Sequence, residues 1–305
     1  MSGSRVLIVG AGVAGMSAAL WLHDLEHPFE WWTADDDVGG TLRRVGNPIG
    51  TLLGLDTEHG GSLVDRFAAH VRRYDLWPTT RRPVERLTRA DGHWLATDDD
   101  VVQRFEAVLL ATGTRPRRLG LDGEKDLLGR GVERSVTRTR DRYRDARCVI
   151  VGGGDAALEG ALLLTEVTDR ITIVHRSAAF RGQARFVDRV LDHPSIDVRF
   201  DTTVNALVRA SSGALTGVRL STGDVLDADG LFVRIGVEPS IPDVDGGVER
   251  DARGYLAVDR AGRTNRDALY AAGDVTGAAH QSVSAAQGDA ARAVAAIVED
   301  VLSRR

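Results

Sequence analysis

Arg5-Val6-Leu7-Ile8-Val9-Gly10-Ala11-Gly12-Val13-Ala14-Gly15 decides the fold. Its first five residues form a short apolar run, as a strand buried on both faces requires. Three glycines follow at the spacing of a dinucleotide fingerprint. Gly10 permits a tight turn, Gly12 lets the backbone approach a pyrophosphate, and Gly15 lets the next helix pack closely on the strand. An alanine-rich helical stretch through Ala18, Ala19, Leu20 and Leu22 comes next. The pyrophosphate would therefore meet the free N–H groups of a helix start. Phe29 to Thr33 reads as the second strand, and Asp35 stands about 20 residues past Gly15, where an acid can reach a ribose. Asp35, Asp36 and Asp37 are consecutive, and the sequence does not choose among them.

The same grammar returns at Cys148-Val149-Ile150-Val151, which leads into Gly152-Gly153-Gly154-Asp155-Ala156-Ala157. Ala157 takes the third glycine's place, a substitution the fingerprint allows. A helix through Leu158, Ala161, Leu162 and Leu164 and a strand Ile171-Thr172-Ile173-Val174 follow. That strand ends in His175-Arg176, with Arg181 a little further on, and not in an acid. An acid at this point binds the 2′-hydroxyl of NAD, whereas a basic residue accommodates the 2′-phosphate of NADP. Arg176 and Arg181 thus predict NADPH over NADH. Two such loops in one chain predict an electron transferase with both FAD and NADPH, the flavin at the N-terminal loop.

Composition is compatible with this. The chain has 305 residues, 43% hydrophobic and 27% charged, which is globular and long enough for about two domains. A net charge of −5 argues against nucleic-acid binding by bulk electrostatics. The single cysteine, Cys148, excludes an internal disulfide, a dithiol redox pair and a multi-cysteine zinc site. No run approaches ~18 apolar residues, and no cleavage site follows the N-terminal apolar stretch, so a cytoplasmic protein away from the membrane is expected.

Further strands are expected at Ala107-Val108-Leu109-Leu110, ending in Ala111-Thr112-Gly113, at Gly230 to Gly236, and at Ala268 to Ala272, leading into Gly273-Asp274-Val275. Thr114-Arg115-Pro116 reads as a chain reversal. A closing helix is expected from about Ser282 to Leu302.

With these motifs in place, the whole chain resembles the low-molecular-weight thioredoxin-reductase-like flavoproteins. The resemblance rests on Gly10, Gly12 and Gly15, on Gly39-Gly40, on Ala111-Thr112-Gly113, on Gly152 to Glu159, on His175-Arg176 with Phe180-Arg181, and on Gly273-Asp274-Val275 followed by Gln281. It implies an α/β fold of two Rossmann-like dinucleotide-binding domains, the NADPH domain inserted into a split FAD domain. The implied bounds are 1–118 and 242–305 for FAD and 119–241 for NAD(P)H. The flavin site it implies comprises Gly10, Gly12, Ala14, Gly15, Asp35, Gly40, Ala111, Thr112, Gly113, Gly273, Asp274, Gln281 and Ser282. Gly273-Asp274 would lie at the ribityl–phosphate region and Gln281 near the isoalloxazine. The implied NADPH site comprises Gly152, Gly154, Asp155, Ala156, Glu159, His175, Arg176, Arg181 and Gly236. A homodimer is implied as well.

The departures from the family bear on function. Thioredoxin reductases carry a redox-active C-x-x-C just before the second glycine loop, and here that place is Ser135-Val136-Thr137-Arg138. Dithiol exchange with thioredoxin is therefore chemically unavailable. Ser177 replaces a second arginine after His175-Arg176, and His280 replaces the arginine before Gln281. Ferredoxin/flavodoxin–NADP reductases of this fold also lack the cysteine pair, but they usually carry a C-terminal extension over the flavin, which does not follow the closing helix here. Bacillithiol-disulfide-reductase-like proteins place a cysteine in the first glycine loop, near Ala14. The expected function is electron transfer from NADPH through FAD to a non-thioredoxin acceptor, either a protein carrier such as a ferredoxin or flavodoxin or a small molecule. The alternative is a flavoprotein of little turnover acting as a redox-responsive binding module. The hydride step requires no side-chain acid or base, so no catalytic residue is assigned.

Arg130, Arg134, Arg138, Arg140, Arg142, Arg144 and Arg147 surround the missing dithiol. Four of them alternate, and on an extended chain they would share one face and form a docking patch for an acidic electron carrier. The competing reading is the solvated surface of an arginine-rich protein. His23 and His27 are four residues apart with no third metal ligand evident. Trp31-Trp32 and Cys148 read as core.

Overall fold

The computed structural model describes residues 6–46, 48–98, 101–277 and 281–303, so Arg5 and His280 lie outside the described residues. The chain forms two compact units, Met1–Arg115 with Glu238–Arg305, and Pro116–Val237.

In the first unit four parallel strands run in the order Leu269–Ala271, Ala107–Leu110, Val6–Val9, Phe29–Trp32. The register sets Ile8 between Trp31 and Leu109. All of Val6–Val9 is buried because both faces of the sheet are covered. Ile8, Trp31 and Leu109 share a core with the helices Val13–Asp24 and Val283–Ile297. Leu7, Trp32 and Leu110 share another with a mainly antiparallel sheet that contributes Trp94 and Phe105. Trp31 and Trp32 are therefore both core, 4% and 0% exposed, on opposite faces because neighbouring strand side chains alternate. The two helices pack on each other, and buried alanines, Ala18 and Ala19 on one and Ala290 and Ala293 on the other, belong to the core they share. The closing helix starts at Ser282, whose hydroxyl accepts the Ala285 N–H at 3.1 Å.

In the second unit five parallel strands run in the order Ile196–Arg199, Ile171–Val174, Cys148–Val151, Gly230–Val233, Val132–Glu133. Cys148 and Ile150 join the helix Asp155–Leu164 in one core. Val149 and Val151 join the antiparallel strands Val204–Arg209 and Leu215–Leu220 in the other. Each unit is thus an α/β layer structure on a parallel sheet, the architecture that binds ligands beyond its strand carboxyl ends.

Two expectations are corrected. Thr114–Pro116 is a short strand paired with Val237–Pro239, not a chain reversal. Gly113, at φ +61°, takes the bend, and Pro116 is tolerated at the end of an edge strand. The arginine-rich segment is helical, Val136–Thr139 and then Arg140–Tyr143, so its alternation does not gather Arg138, Arg140, Arg142 and Arg144 on one face. Buried Val136 and Tyr143 anchor that winding. Arg140 pairs with Glu166 at 2.9 Å, Arg144 with Asp141 at 3.7 Å, and Arg147 with Asp227 and Asp229 at 2.6 and 2.8 Å. Arg130, Arg138 and Arg142 are exposed and in no ion pair among the described residues.

Candidate functional sites

The first glycine loop is built by close backbone approach. Gly10 has φ +106°, and a Cβ there would strike the Ala111 carbonyl. Its N–H donates to Trp32 O at 2.8 Å, and its own carbonyl accepts Trp31 Nε1 at 2.9 Å. A Cβ on Gly15 would strike that same Gly10 oxygen. Gly12 caps the helix Val13–Asp24 and has open space where a side chain would begin. Gly40, at φ +51°, approaches Gly12, and Gly273, at φ +75°, approaches Ala14. Gly10, Gly12, Ala14, Gly15, Gly40, Ala111, Thr112 and Gly273 are thereby gathered around one helix start.

Three polar groups distinguish this place from an ordinary turn. Thr112 Oγ1 is buried without a hydrogen-bond partner. Burial, followed by the negative charge of Asp289, holds the Asp274 carboxyl above the ordinary carboxylate range. Asp36 is bridged to Arg81, and Asp37 to Arg43 at 3.0 Å, whereas the exposed Asp35 carboxylate has no such partner among the described residues. Gln281 is exposed, and the Ser282 hydroxyl is engaged as a helix cap. An open helix start, an orphaned hydroxyl and a desolvated carboxyl fit the pyrophosphate and polyol of FAD.

The second loop repeats the geometry. Gly152 has φ +149°, and a Cβ there would strike Arg234 O and stand 3.0 Å from the Ala157 methyl, which fills the third glycine's place. Gly154 caps the helix Asp155–Leu164 with open space at its Cα. Gly153 lies over the His175 ring, and its carbonyl accepts the Arg181 N–H at 2.8 Å. His175 is 3% exposed, with Nε2 3.1 Å from Ala179 O and its ring beside Phe180 and Phe200. Burial is the main reason its pKa lies below the ordinary value, so a neutral ring supports the loop from beneath. The Asp155 carboxylate accepts two bonds from Gln183, N and Nε2, both at 2.7 Å, which lowers its pKa. Arg176 and Arg181 are exposed and in no ion pair among the described residues, as a 2′-phosphate site needs. Asp201 lies within electrostatic reach of His175 and tempers the positive field there. Gly236, at φ +89°, is exposed.

One residue of this region was not apparent from the motifs. Arg234 donates to Arg134 O and to Ala156 O, and the charge of Glu159 acts on it. The signal available in the sequence was a lone cation directly after the apolar run Leu231-Phe232-Val233.

Two parallel α/β units, each with a glycine loop at a helix start, define the class of flavin- and pyridine-nucleotide-dependent oxidoreductases. The chain belongs to the pyridine nucleotide-disulphide oxidoreductase family, whose profile matches residues 4–290. It is 30% identical over 297 residues to a thioredoxin reductase of Treponema pallidum, covering 94% of each chain. It is 27% identical over 274 residues to a Clostridium pasteurianum protein described as a 34.2 kDa protein in rubredoxin operon, covering 88% of each. The solved thioredoxin reductase of Lactococcus lactis superimposes with a TM-score of 0.84 at 25% identity, over 98% of this chain and 99% of that one. The chain is thus a thioredoxin-reductase-like oxidoreductase of FAD and NADPH that lacks the C-x-x-C. Its one thiol, Cys148, is 1% exposed, and burial pushes it up to about 12. No helix among the described residues is long and apolar enough to cross a membrane.

Proposed function

We propose that the unit Met1–Arg115 with Glu238–Arg305 holds FAD, that Pro116–Val237 holds NADPH, and that electrons leave the flavin directly for an acceptor other than thioredoxin. One observation carries this reading: both nucleotide loops are complete, while Ser135–Arg138 stands in the dithiol's place and the only thiol is buried. When bound, NADPH supplies a hydride, and FAD accepts it and passes electrons on. The chain's own part is to bind and orient. The helix starts at Gly12 and Gly154 take the pyrophosphates. Thr112 and Asp274 hold the flavin's polar chain, Asp35 takes its ribose, and Arg176 and Arg181 take the 2′-phosphate.

The acceptor we favour is a small acidic electron carrier such as a ferredoxin or flavodoxin. The relative from a rubredoxin operon supports it, as do Arg130, Arg138 and Arg142, which are exposed and in no ion pair among the described residues. A cytoplasmic homodimer belongs to the same reading. The test is anaerobic mixing of the holoprotein with NADPH. The flavin absorbance should bleach within seconds and return on adding ferredoxin, flavodoxin or a one-electron dye, but not thioredoxin. Reoxidation by thioredoxin would overturn the proposal. A flavin that stays oxidised in NADPH would favour the binding-module alternative.

A further inference from the structure

The first unit has an open surface cavity of about 450 Å³ at the ends of the helices Val13–Asp24 and Gly60–Arg72, outside the flavin loop. Phe29, Trp31 and Trp77 give it aromatic walls, and Glu26 and Asp75 stand at its edge. Both helices end here, so both bring the negative end of a helix dipole to the same place. Beyond each end the chain passes through a left-handed residue, a position that suits glycine. These two residues are Glu26, at φ +55°, and Asp75, at φ +57°. Neither carboxylate is in an ion pair among the described residues, although Arg72 and Arg73 are close in sequence.

The Arg72 guanidinium lies instead over the Trp77 ring, 3.9 Å from its centroid. A wall of this cavity thus already accepts a cation on its π-face. The lining also includes His23 and His27, yet among the described residues no three His, Cys, Asp or Glu side chains converge to hold a metal ion. The open volume has room for an organic group. We propose that this cavity is a binding site for a small organic cation of the alkylammonium or guanidinium class, its charge facing Glu26 and Asp75 and its body against Phe29 and Trp77.

The site stands independently of the acceptor question. Its test is isothermal titration calorimetry of the FAD-loaded full chain with choline and with agmatine, and with 3,3-dimethylbutanol as the neutral isostere of choline. Saturable 1:1 binding of at least one cation is expected, with the alcohol at least 10-fold weaker. Trp77→Leu, and Glu26→Gln with Asp75→Asn, should each weaken the cation at least 10-fold. Glu26→Gly with Asp75→Gly should abolish binding while raising Tm by a few degrees, because glycine suits both left-handed positions. That rise separates a lost ligand from a lost fold. The proposal is overturned if neither cation binds saturably, if the alcohol binds as well, or if the variants bind like the parent. Self-association that free choline or agmatine reverses would also overturn it, since a basic side chain of a second copy would then be the occupant.

Discussion

Arg234 donates through Nη1 to the carbonyl oxygen of Arg134 at 2.6 Å and through Nε to that of Ala156 at 3.2 Å. It thereby ties the residue before Ser135–Arg138 to the first turn of the helix that begins at the second glycine loop. This is a costly place for a cation. Burial lowers its pKa, with the Glu159 charge acting the other way, and the helix dipole opposes positive charge at a helix start. The hydrogen bonds must offset both.

Replacing Arg234 with methionine should therefore destabilise the protein by about 1–3 kcal/mol, because two carbonyls lose a charged donor. Arg234→Lys keeps the charge but cannot present two planar donors, and should fall between. Thermal unfolding of the two variants beside the parent measures this. A Tm equal to the parent's for Arg234→Met would mean that these bonds contribute nothing.

The cofactor preference gives the second prediction. Arg176 and Arg181 are exposed, so together their charge-assisted bonds should be worth about 1–3 kcal/mol to a 2′-phosphate, roughly 5- to 150-fold. Arg176→Ala with Arg181→Ala should raise the KM for NADPH by that factor and change that for NADH less than about threefold. Asp201→Asn, which removes a nearby negative charge, should lower the KM for NADPH. Steady-state kinetics with a dye acceptor decides, and equal losses for NADPH and NADH would sink the assignment.

Both loops were legible because they depend on what a backbone can do. No side chain fits at Gly10 against Ala111 or at Gly152 against Arg234, so glycine at these positions carries the geometry in the letters themselves. Features that depend on distant partners were not legible. Thr114–Pro116 is a strand only because Val237–Pro239 lies beside it. The spacing of the arginines after Ser135 suggested an extended face, and burial of Val136 and Tyr143 winds that segment instead. Asp155 and His175 match the motif by position, but their side chains are held by Gln183 and Ala179. Glu26 and Asp75 meet at one cavity only through the packing of two helices.

His175 predicts a pH dependence. Its folded pKa lies below the unfolded value of 6.5, chiefly through burial. Above pH 6.5 both states are neutral and the group is silent. As pH falls through 6.5 the unfolded chain takes up the proton first, so stability is lost, by at most about 1.4 kcal/mol per pH unit, until the folded ring also protonates. Denaturant unfolding at pH 7.5, 6.5 and 5.5 should show a smaller loss in His175→Phe than in the parent. A parallel loss in both proteins would place the titration elsewhere.

The last prediction concerns the lone thiol. Cys148 begins a strand buried on both faces, and burial, then the negative charge of Asp229, pushes its pKa up to about 12. At pH 8 the thiolate fraction is then on the order of 10⁻⁴, too small for a redox nucleophile, and no second thiol exists to resolve a mixed disulfide. The native protein should resist a thiol reagent such as dithionitrobenzoate at pH 8 and react at once when unfolded in guanidinium. Above pH 9, the ordinary value, the unfolded chain ionises first, so the native state should lose up to about 1.4 kcal/mol per pH unit through this group. Cys148→Ala should remove that loss between pH 9 and 10, above which buried Tyr143 and Tyr270, also raised, add losses of their own. It removes only one sulfur from the core, so it should keep NADPH–dye turnover within about twofold of the parent. Neither protein should reduce thioredoxin. Rapid labelling of the folded chain, or thioredoxin reduction that disappears in Cys148→Ala, would show that electrons leave through the thiol and not directly from the flavin.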